Sequence, residues 1–152
     1  TDVRLIPAAR FVNDSMPGHI VSMLEDALGS FDKSLEGSKV AVLGYAYLEE
    51  SDDTRNSPSE TLVYLLEEHN VEVVIQDPYV RGYQQSILKS LEGCDAVIVM
   101  VAHQAYQELD LNELSASLNT PILIDGRRAI DSQRAIDAGL YYSGLGLGTP
   151  SQ

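Results

Sequence analysis

The sequence has no tryptophan, two phenylalanines and one cysteine among its 152 residues. Basic residues are scarce too: 10 Lys and Arg stand against 23 Asp and Glu, a formal charge of -13. Each scarcity excludes something. One cysteine cannot build an internal disulfide framework, and it fits a reducing, cytoplasmic setting. The surplus of acid argues against nucleic acid, whose phosphates recruit clustered Lys and Arg. It argues equally against anionic membrane surfaces. A phosphate ligand must therefore be held by a few placed arginines and by backbone N–H groups. No apolar run approaches the ~20 residues that span a bilayer, and no charged-then-apolar leader opens the chain. His19, His69 and His103 have no metal-ligand spacing, so no metal is predicted. The chain opens on Thr1 instead of Met; the expectation is a piece of a longer protein or a processed chain.

What is present falls into two patterns. Over residues 17–28, Ile20, Val21, Leu24, Ala27 and Leu28 recur at helical spacing. Asn13, Asp14 and Ser15 offer capping oxygens before them, and Pro17 suits a first turn. A shorter helix is predicted over 4–12, and GSFDKSLEGS (29–38) reads as a polar connector. Without a partner, the apolar face of 17–28 is expected to pack on a neighbouring molecule.

From Lys39 onward strands and helices alternate. KVAVL, VEVVIQ (71–76), AVIVMVA (96–102), PILID (121–125) and LYYSG (140–144) read as strands. Helices are predicted between them: one opened by the capping box Ser57-Pro58-Ser59-Glu60, then 83–91, 110–118, and one from Asp131 to Ala138 stopped by Gly139. Such alternation predicts crossover units, hence an α/β, Rossmann-like, doubly wound and mainly parallel sheet in a three-layer sandwich. Ligands in such sheets bind beyond the strand carboxyl ends. Three loops leave those ends, over 44–56, 77–82 and 125–131.

The first loop, GYAYLEESDDTRNSPSE (44–60), joins a strand to a helix without the glycines of a dinucleotide turn. Tyr45 and Tyr47 either stack on a base or pack the loop on the sheet. Arg55, before a helix N-terminus, either clamps a phosphate or pairs with Asp52 or Asp53. In IDGRRAID (124–131), Arg127 and Arg128 either reach an anion in the crevice or pair with Asp125 and Asp131. Asp77, followed by Pro78, reads as an Asp-Pro turn more readily than as a ribose ligand. GLGLG (144–148) is not a cofactor motif, because no helix follows it; it reads as a flexible tail. Cys94, in EGCDA, has no activating His and acid in any recognisable motif and reads as a structural thiol.

GYAYLEESDDTRNSPS, QDPYV, GCDAVIVMVAHQAY, ILIDGRRAID and GLYYSGLG, in that order, resemble the C-terminal domain of the UDP-glucose/GDP-mannose dehydrogenase family. LIPAARFVNDSMPGHIV resembles the end of that family's central helical domain. The resemblance implies a division into 1–28 (end of the central, dimer-forming region), 29–38 (linker) and 39–148 (a UDP-sugar-binding domain). It implies a parent enzyme that oxidises C6 of a UDP-sugar to a uronic acid for surface polysaccharide or glycan assembly. Two NAD are used, bound mainly by an N-terminal domain absent here, and the active form is a homodimer. It also implies that the catalytic Cys lies upstream and that Cys94 is not it, so no catalytic residue is expected in this chain and the fragment alone is expected to be inactive.

By the same resemblance Tyr47 packs on uracil, Arg127 contacts the substrate with Arg128 as a weaker second, and Arg55 reaches toward the NAD phosphates. The residue after Tyr47 is commonly Lys in the family and contacts substrate. Here it is Leu48, which removes a donor and leaves Glu49 or a main-chain group for that contact. NDSMP and DTRNSPS look like the branch acting on UDP-N-acetylhexosamines, mannosamine first and galactosamine second. Two other classes compete. A stand-alone, non-catalytic nucleotide-binding module also fits a chain without a nucleophile. A response-regulator-like domain would need a Lys after a late strand, where PILID is followed by Gly126 and Arg127.

Overall fold

Alternation along the strands decides the layers. In the computed structural model, which describes residues 5–55 and 57–145 (backbone alone over 5–14), β1 (Lys39–Leu43) turns Val40 and Val42 to one face and Ala41 and Leu43 to the other. Both sets are fully buried, so helices must cover both sides. On the first face lie α1 (Leu5–Gly29) and α2 (Pro58–Glu68), packed on Ile98, Ile122 and Ile124. On the second lie α3 (Ile87–Leu91), α4 (Gln104–Gln107), α5 (Leu111–Ser117) and α6 (Ser132–Asp137), which close over Val97, Val99 and Leu123. The remaining strands are β2 (Glu72–Gln76), β3 (Ala96–Val99), β4 (Ile122–Asp125) and β5 (Tyr141–Gly144).

All four strand pairings are parallel, in the order β2-β1-β3-β4-β5. The chain winds outward from β1 to β2, then returns across β1 to β3 and continues the other way. The point of reversal lies between β1 and β3, whose carboxyl ends splay into the loops at 44–56 and 100–103. That is where an open parallel sheet forms its crevice. The predicted three-layer, doubly wound sheet is the one observed, and here it is wholly parallel.

Four expectations are corrected. The N-terminal region is one helix, with Pro17 inside it, not two helices with a cap at 13–15. The ring removes one intrahelical hydrogen bond, and burial just beyond it offsets the loss. Ile20, Leu24 and Leu28 are fully buried, and each such side chain contributes about 1.5–3 kcal/mol. The second correction follows: the apolar face expected to need a neighbouring molecule packs on this chain's own sheet and α2. Third, the helix predicted over 83–91 begins only at Ile87. Residues 83–85 instead serve the edge strand β2: the Gln85 amide donates to Ile75 O (2.7 Å), and Tyr83 O accepts from Asp77 N–H (2.7 Å). Fourth, β3 stops at Val99 and the chain turns into α4, which has no predicted counterpart. Of the flexible tail expected over 144–148, Gly144 instead ends β5 and Leu145 N–H donates to Asp125 O (3.0 Å); the rest lies outside the described residues.

Candidate functional site

Gly44 sets the approach of the first loop. Its φ is +99°, a region that L side chains avoid. A Cβ there would stand 2.7 Å from Val101 Cβ and 2.8 Å from Val101 N. Only a glycine lets the ends of β1 and β3 run this close. Gly126 repeats the device beside β4, where a Cβ would meet Val99 O at 3.1 Å.

Beyond Gly44 the loop folds back on α2. Ser57 caps the helix by accepting from Ser59 N–H (3.1 Å), and its hydroxyl donates to Ala46 O (3.4 Å). The Ser59 hydroxyl donates to Gly44 O (2.8 Å). Both serines are buried. In a dinucleotide fold this helix N-terminus receives the pyrophosphate over a glycine turn. Here the chain's own hydroxyls fill that cradle, so the residues present do not fit a dinucleotide there.

Two buried carboxylates organise the loops. Asp77, at the end of β2, has no solvent exposure. Its Oδ2 accepts from Tyr45 N–H (2.7 Å), Ala46 N–H (2.9 Å) and His103 Nε2 (3.1 Å), and its Oδ1 accepts from Tyr79 N–H (2.9 Å). His103 is equally buried, and its Nδ1 accepts from Glu50 N–H (3.0 Å). With Nδ1 an acceptor, the proton sits on Nε2 and the ring is the neutral tautomer. Asp77 thus forms the expected Asp-Pro turn through Tyr79, but it also ties the loops after β1 and β3 together. Its oxygens are occupied by these donors instead of a ribose.

Asp125, at the end of β4, does the same for the third loop. Its Oδ1 accepts from Arg127 N–H (3.1 Å) and Ala129 N–H (3.0 Å). Its Oδ2 accepts from Ile130 N–H (2.8 Å) and the Tyr142 hydroxyl (2.8 Å). Burial and the Asp125 charge push the Tyr142 phenol far up, so it remains a donor at neutral pH. Arg128 takes φ +53° to let the chain wrap around this carboxylate.

Arg127 is not paired with Asp125 or Asp131. Asp125 binds backbone N–H groups, and Asp131 caps α6 through Arg134 N–H (2.9 Å). The Arg127 guanidinium crosses the crevice instead: Nε donates to Met100 O (3.1 Å) after β3, and Nη2 to Tyr47 O (3.5 Å) after β1. Two of its five donors are occupied by these carbonyls and the rest stay available. The structure therefore brings Arg127 and Tyr47 together over the point of reversal. The Tyr47 ring is 43% exposed and Leu48 beside it 53%. Tyr45 is the packing aromatic, edge-on to Tyr83 at 5.4 Å.

Arg55 and Arg128 do not join that pair by any hydrogen bond among the described residues. Arg55 grips Asp53 through Nε (3.1 Å) and Nη2 (3.0 Å), with its side chain 87% exposed. Those bonds hold the Asp53 carboxyl below its usual range. Cys94 is fully buried, donates to Ser90 O (3.4 Å), and burial pushes its thiol up to about 11. It is therefore a protonated, poorly nucleophilic thiol at neutral pH. A surface groove of about 420 Å³ lies between the start of α5 and α6 and is lined by Glu108, Asp110 and Arg134. Tyr47, Asp77, His103, Asp125 and Arg127 do not line it; the strand ends carry the convergent polar groups and form the candidate site.

Asp77, His103 and Asp125 are the residues that sequence reasoning undervalued. The signal available was their position, one at or just past the carboxyl end of each of three strands.

Comparisons with known proteins give the family. Residues 41–132 match the UDP-glucose/GDP-mannose dehydrogenase family, UDP binding domain. The UDP-N-acetyl-D-mannosamine dehydrogenase of Pyrococcus horikoshii is 35% identical over 147 residues, covering 97% of this chain and 34% of that protein. A solved structure of that Pyrococcus enzyme superposes with a TM-score of 0.87 at 34% identity, over 96% of this chain and 34% of that one. An NDP-N-acetyl-D-galactosaminuronic acid dehydrogenase from Methanosarcina mazei gives 0.86 at 35% identity, over 91% and 31%. The chain thus spans about a third of the length of the curated relatives it matches. With the family match covering most of the sheet and all three crevice loops, the chain belongs to the UDP-glucose/GDP-mannose dehydrogenase family, of which it carries the UDP-binding domain.

Proposed function

We propose that this chain is the UDP-holding part of a nucleotide-sugar 6-dehydrogenase, with a UDP-N-acetylhexosamine of the mannosamine type as substrate. The observation that carries the proposal is the meeting of Arg127 and Tyr47 across the crevice. A flat exposed aromatic offers a stacking face for uracil, and the guanidinium bonded to its main-chain carbonyl offers fixed donors to the diphosphate. An acidic chain needs such a placed arginine, because its overall field repels phosphate. Arg128 stands as the second cation of the same loop. Leu48, half exposed, offers the base no side-chain donor.

The parent protein is proposed to oxidise the C6 hydroxyl to a carboxylate with two NAD, in the cytoplasm, as a homodimer joined through central helices. The serine-filled cradle at α2 does not fit NAD. Residues 1–28 are proposed to end the central region, 29–38 to link, and 39–148 to bind the UDP-sugar. Arg55, exposed and paired with Asp53, would be the residue of this chain that meets the cofactor phosphates. This chain's own share of the reaction is to hold and orient the nucleotide; no catalytic residue is assigned in it. The mannosamine preference is supported by the likeness to the Pyrococcus enzyme.

The test is an amide-resolved NMR titration of the chain with UDP, and with NAD as the comparison. Saturable shifts on Tyr47, Leu48 and Arg127 with UDP are expected. Saturation by NAD without a response to UDP would overturn the assignment in favour of a stand-alone nucleotide-binding module.

A further inference from the structure

The loop over 44–55 carries the aromatic and the arginine assigned to ligands, yet it has no helix or strand of its own. Tyr47, Leu48 and Arg55 are exposed, while Ala46 is buried and Tyr45 packs on the core at the near end. Beyond them the loop is held by polar contacts. Asp77 takes the N–H groups of Tyr45 and Ala46 at the near end. Farther out, at Glu50, the loop is pinned to the start of α4. Glu50 N–H donates to His103 Nδ1 (3.0 Å), and Glu50 Oε1 accepts from Gln104 N–H (2.9 Å). Glu50 also has φ +55°, a conformation that a non-glycine residue keeps only where its surroundings compel it.

Resting on the UDP-binding reading above, we propose that His103 is the positioning residue of the nucleotide site: its neutral imidazole fixes the loop that presents Tyr47 by accepting from Glu50 N–H. The ring is held for this task. It is fully buried, Nε2 is anchored on Asp77 (3.1 Å), and Tyr79 and Tyr106 pack on it at 4.9 and 5.4 Å between centroids. Asp77 already takes three backbone N–H groups, so the carboxylate does not depend on the histidine for partners. What the imidazole alone supplies is the acceptor at Nδ1, aimed at a strained residue three positions after Tyr47. A side chain that merely filled the core would need no acceptor there.

Conservative replacements separate the two roles. Asn places its amide oxygen where Nδ1 stands, and Gln places its amide nitrogen where Nε2 stands. In the full chain, His103→Asn is expected to keep UDP affinity within about threefold, while His103→Gln weakens it roughly tenfold, the worth of one hydrogen bond. Core filling predicts the opposite order, because Gln is closer to His in volume, and that order would overturn the proposal. Two readouts need no ligand. The imidazole 15N spectrum of the unaltered chain should show Nε2 protonated and Nδ1 bare. The Glu50 amide should be protected from hydrogen exchange in the unaltered chain and His103→Asn, and exchange faster in His103→Gln. An Nδ1–H ring, or an unprotected Glu50 amide in the unaltered chain, would sink the positioning role. If the chain takes no UDP, the proposed function fails while these two spectra still decide the role of His103, also where a variant does not fold.

Discussion

Replacing Asp125 by Asn changes no more than one oxygen to an NH2 group, yet the structure says it should hurt. Both carboxylate oxygens accept from buried or half-buried donors: Arg127 N–H and Ala129 N–H on one, Ile130 N–H and the Tyr142 hydroxyl on the other. An amide can keep one side only. In the better orientation its oxygen stays with Arg127 and Ala129, and its NH2 faces Ile130 N–H, donor against donor. The Tyr142 hydroxyl can turn to accept from the new NH2 and still donate to Ile130 O (3.2 Å). The net loss is one charge-assisted bond and one buried N–H left without an acceptor, together about 2–4 kcal/mol. For a domain of this size that lowers the melting temperature by roughly 4–16 °C. Asp125→Ala strips three backbone N–H groups of their acceptor and leaves the Tyr142 hydroxyl with Ile130 O alone. At about 1–3 kcal/mol per orphaned group, it removes about 3–9 of the roughly 5–15 kcal/mol that a whole domain has. Thermal and urea unfolding followed by circular dichroism measures both variants. An Asn variant melting within 1 °C of the parent (~1 °C being ordinary scatter against the shift above) would refute the claim that this carboxylate builds the loop carrying Arg127.

Gly44→Ala should cost about 3–5 kcal/mol, from the 2.7 Å approach to Val101 and the positive φ combined; a urea midpoint unchanged from the parent would contradict the close crossing. Alkaline pH should destabilise the fold. Burial holds the Cys94 thiol at about 11 in the native state, above the ~8.5 of an unfolded cysteine, so stability is complete below that lower value and falls as pH rises toward 11. The phenols of Tyr106 and Tyr142, also raised by burial, act in the same direction, and urea midpoints that stay level between pH 8 and 11 would count against this burial. Arg55→Ala should leave the thermal melt unchanged, because its pair with Asp53 is solvent-exposed; a clear fall in melting temperature would mean that the pair supports the loop.

Much of the fold was legible because each strand carries its signal locally. Val40, Val42, Val97 and Ile98 lie in short apolar runs bounded by turn residues, and burial on both faces leaves no other place for them. The caps at Ser57 and Asp131 were readable for the same reason: a capping oxygen bonds N–H groups two or three residues on. The start of α3 was not legible, since Gln85 serves a strand ten residues earlier. Nor was the continuity of α1 through Pro17, which depends on the sheet beneath Ile20 and Leu24.

The candidate site divides in the same way. Tyr47, Leu48, Arg55, Arg127 and Arg128 stood out as residues of the right chemistry in loops at strand carboxyl ends. By itself the sequence determined that an acidic, wholly α/β chain carries a few cations there, and its motifs named the family. Which arginine crosses the crevice was decided only by tertiary structure. Arg55 found Asp53 two residues away, whereas Arg127 reached Met100 O and Tyr47 O, 27 and 80 residues distant. The roles of Asp77, His103 and Asp125 were decided there too. A buried carboxylate or imidazole is defined by its hydrogen-bond partners, and those of His103, the Glu50 N–H and the Asp77 carboxylate, come from segments that meet only after the parallel strands pair.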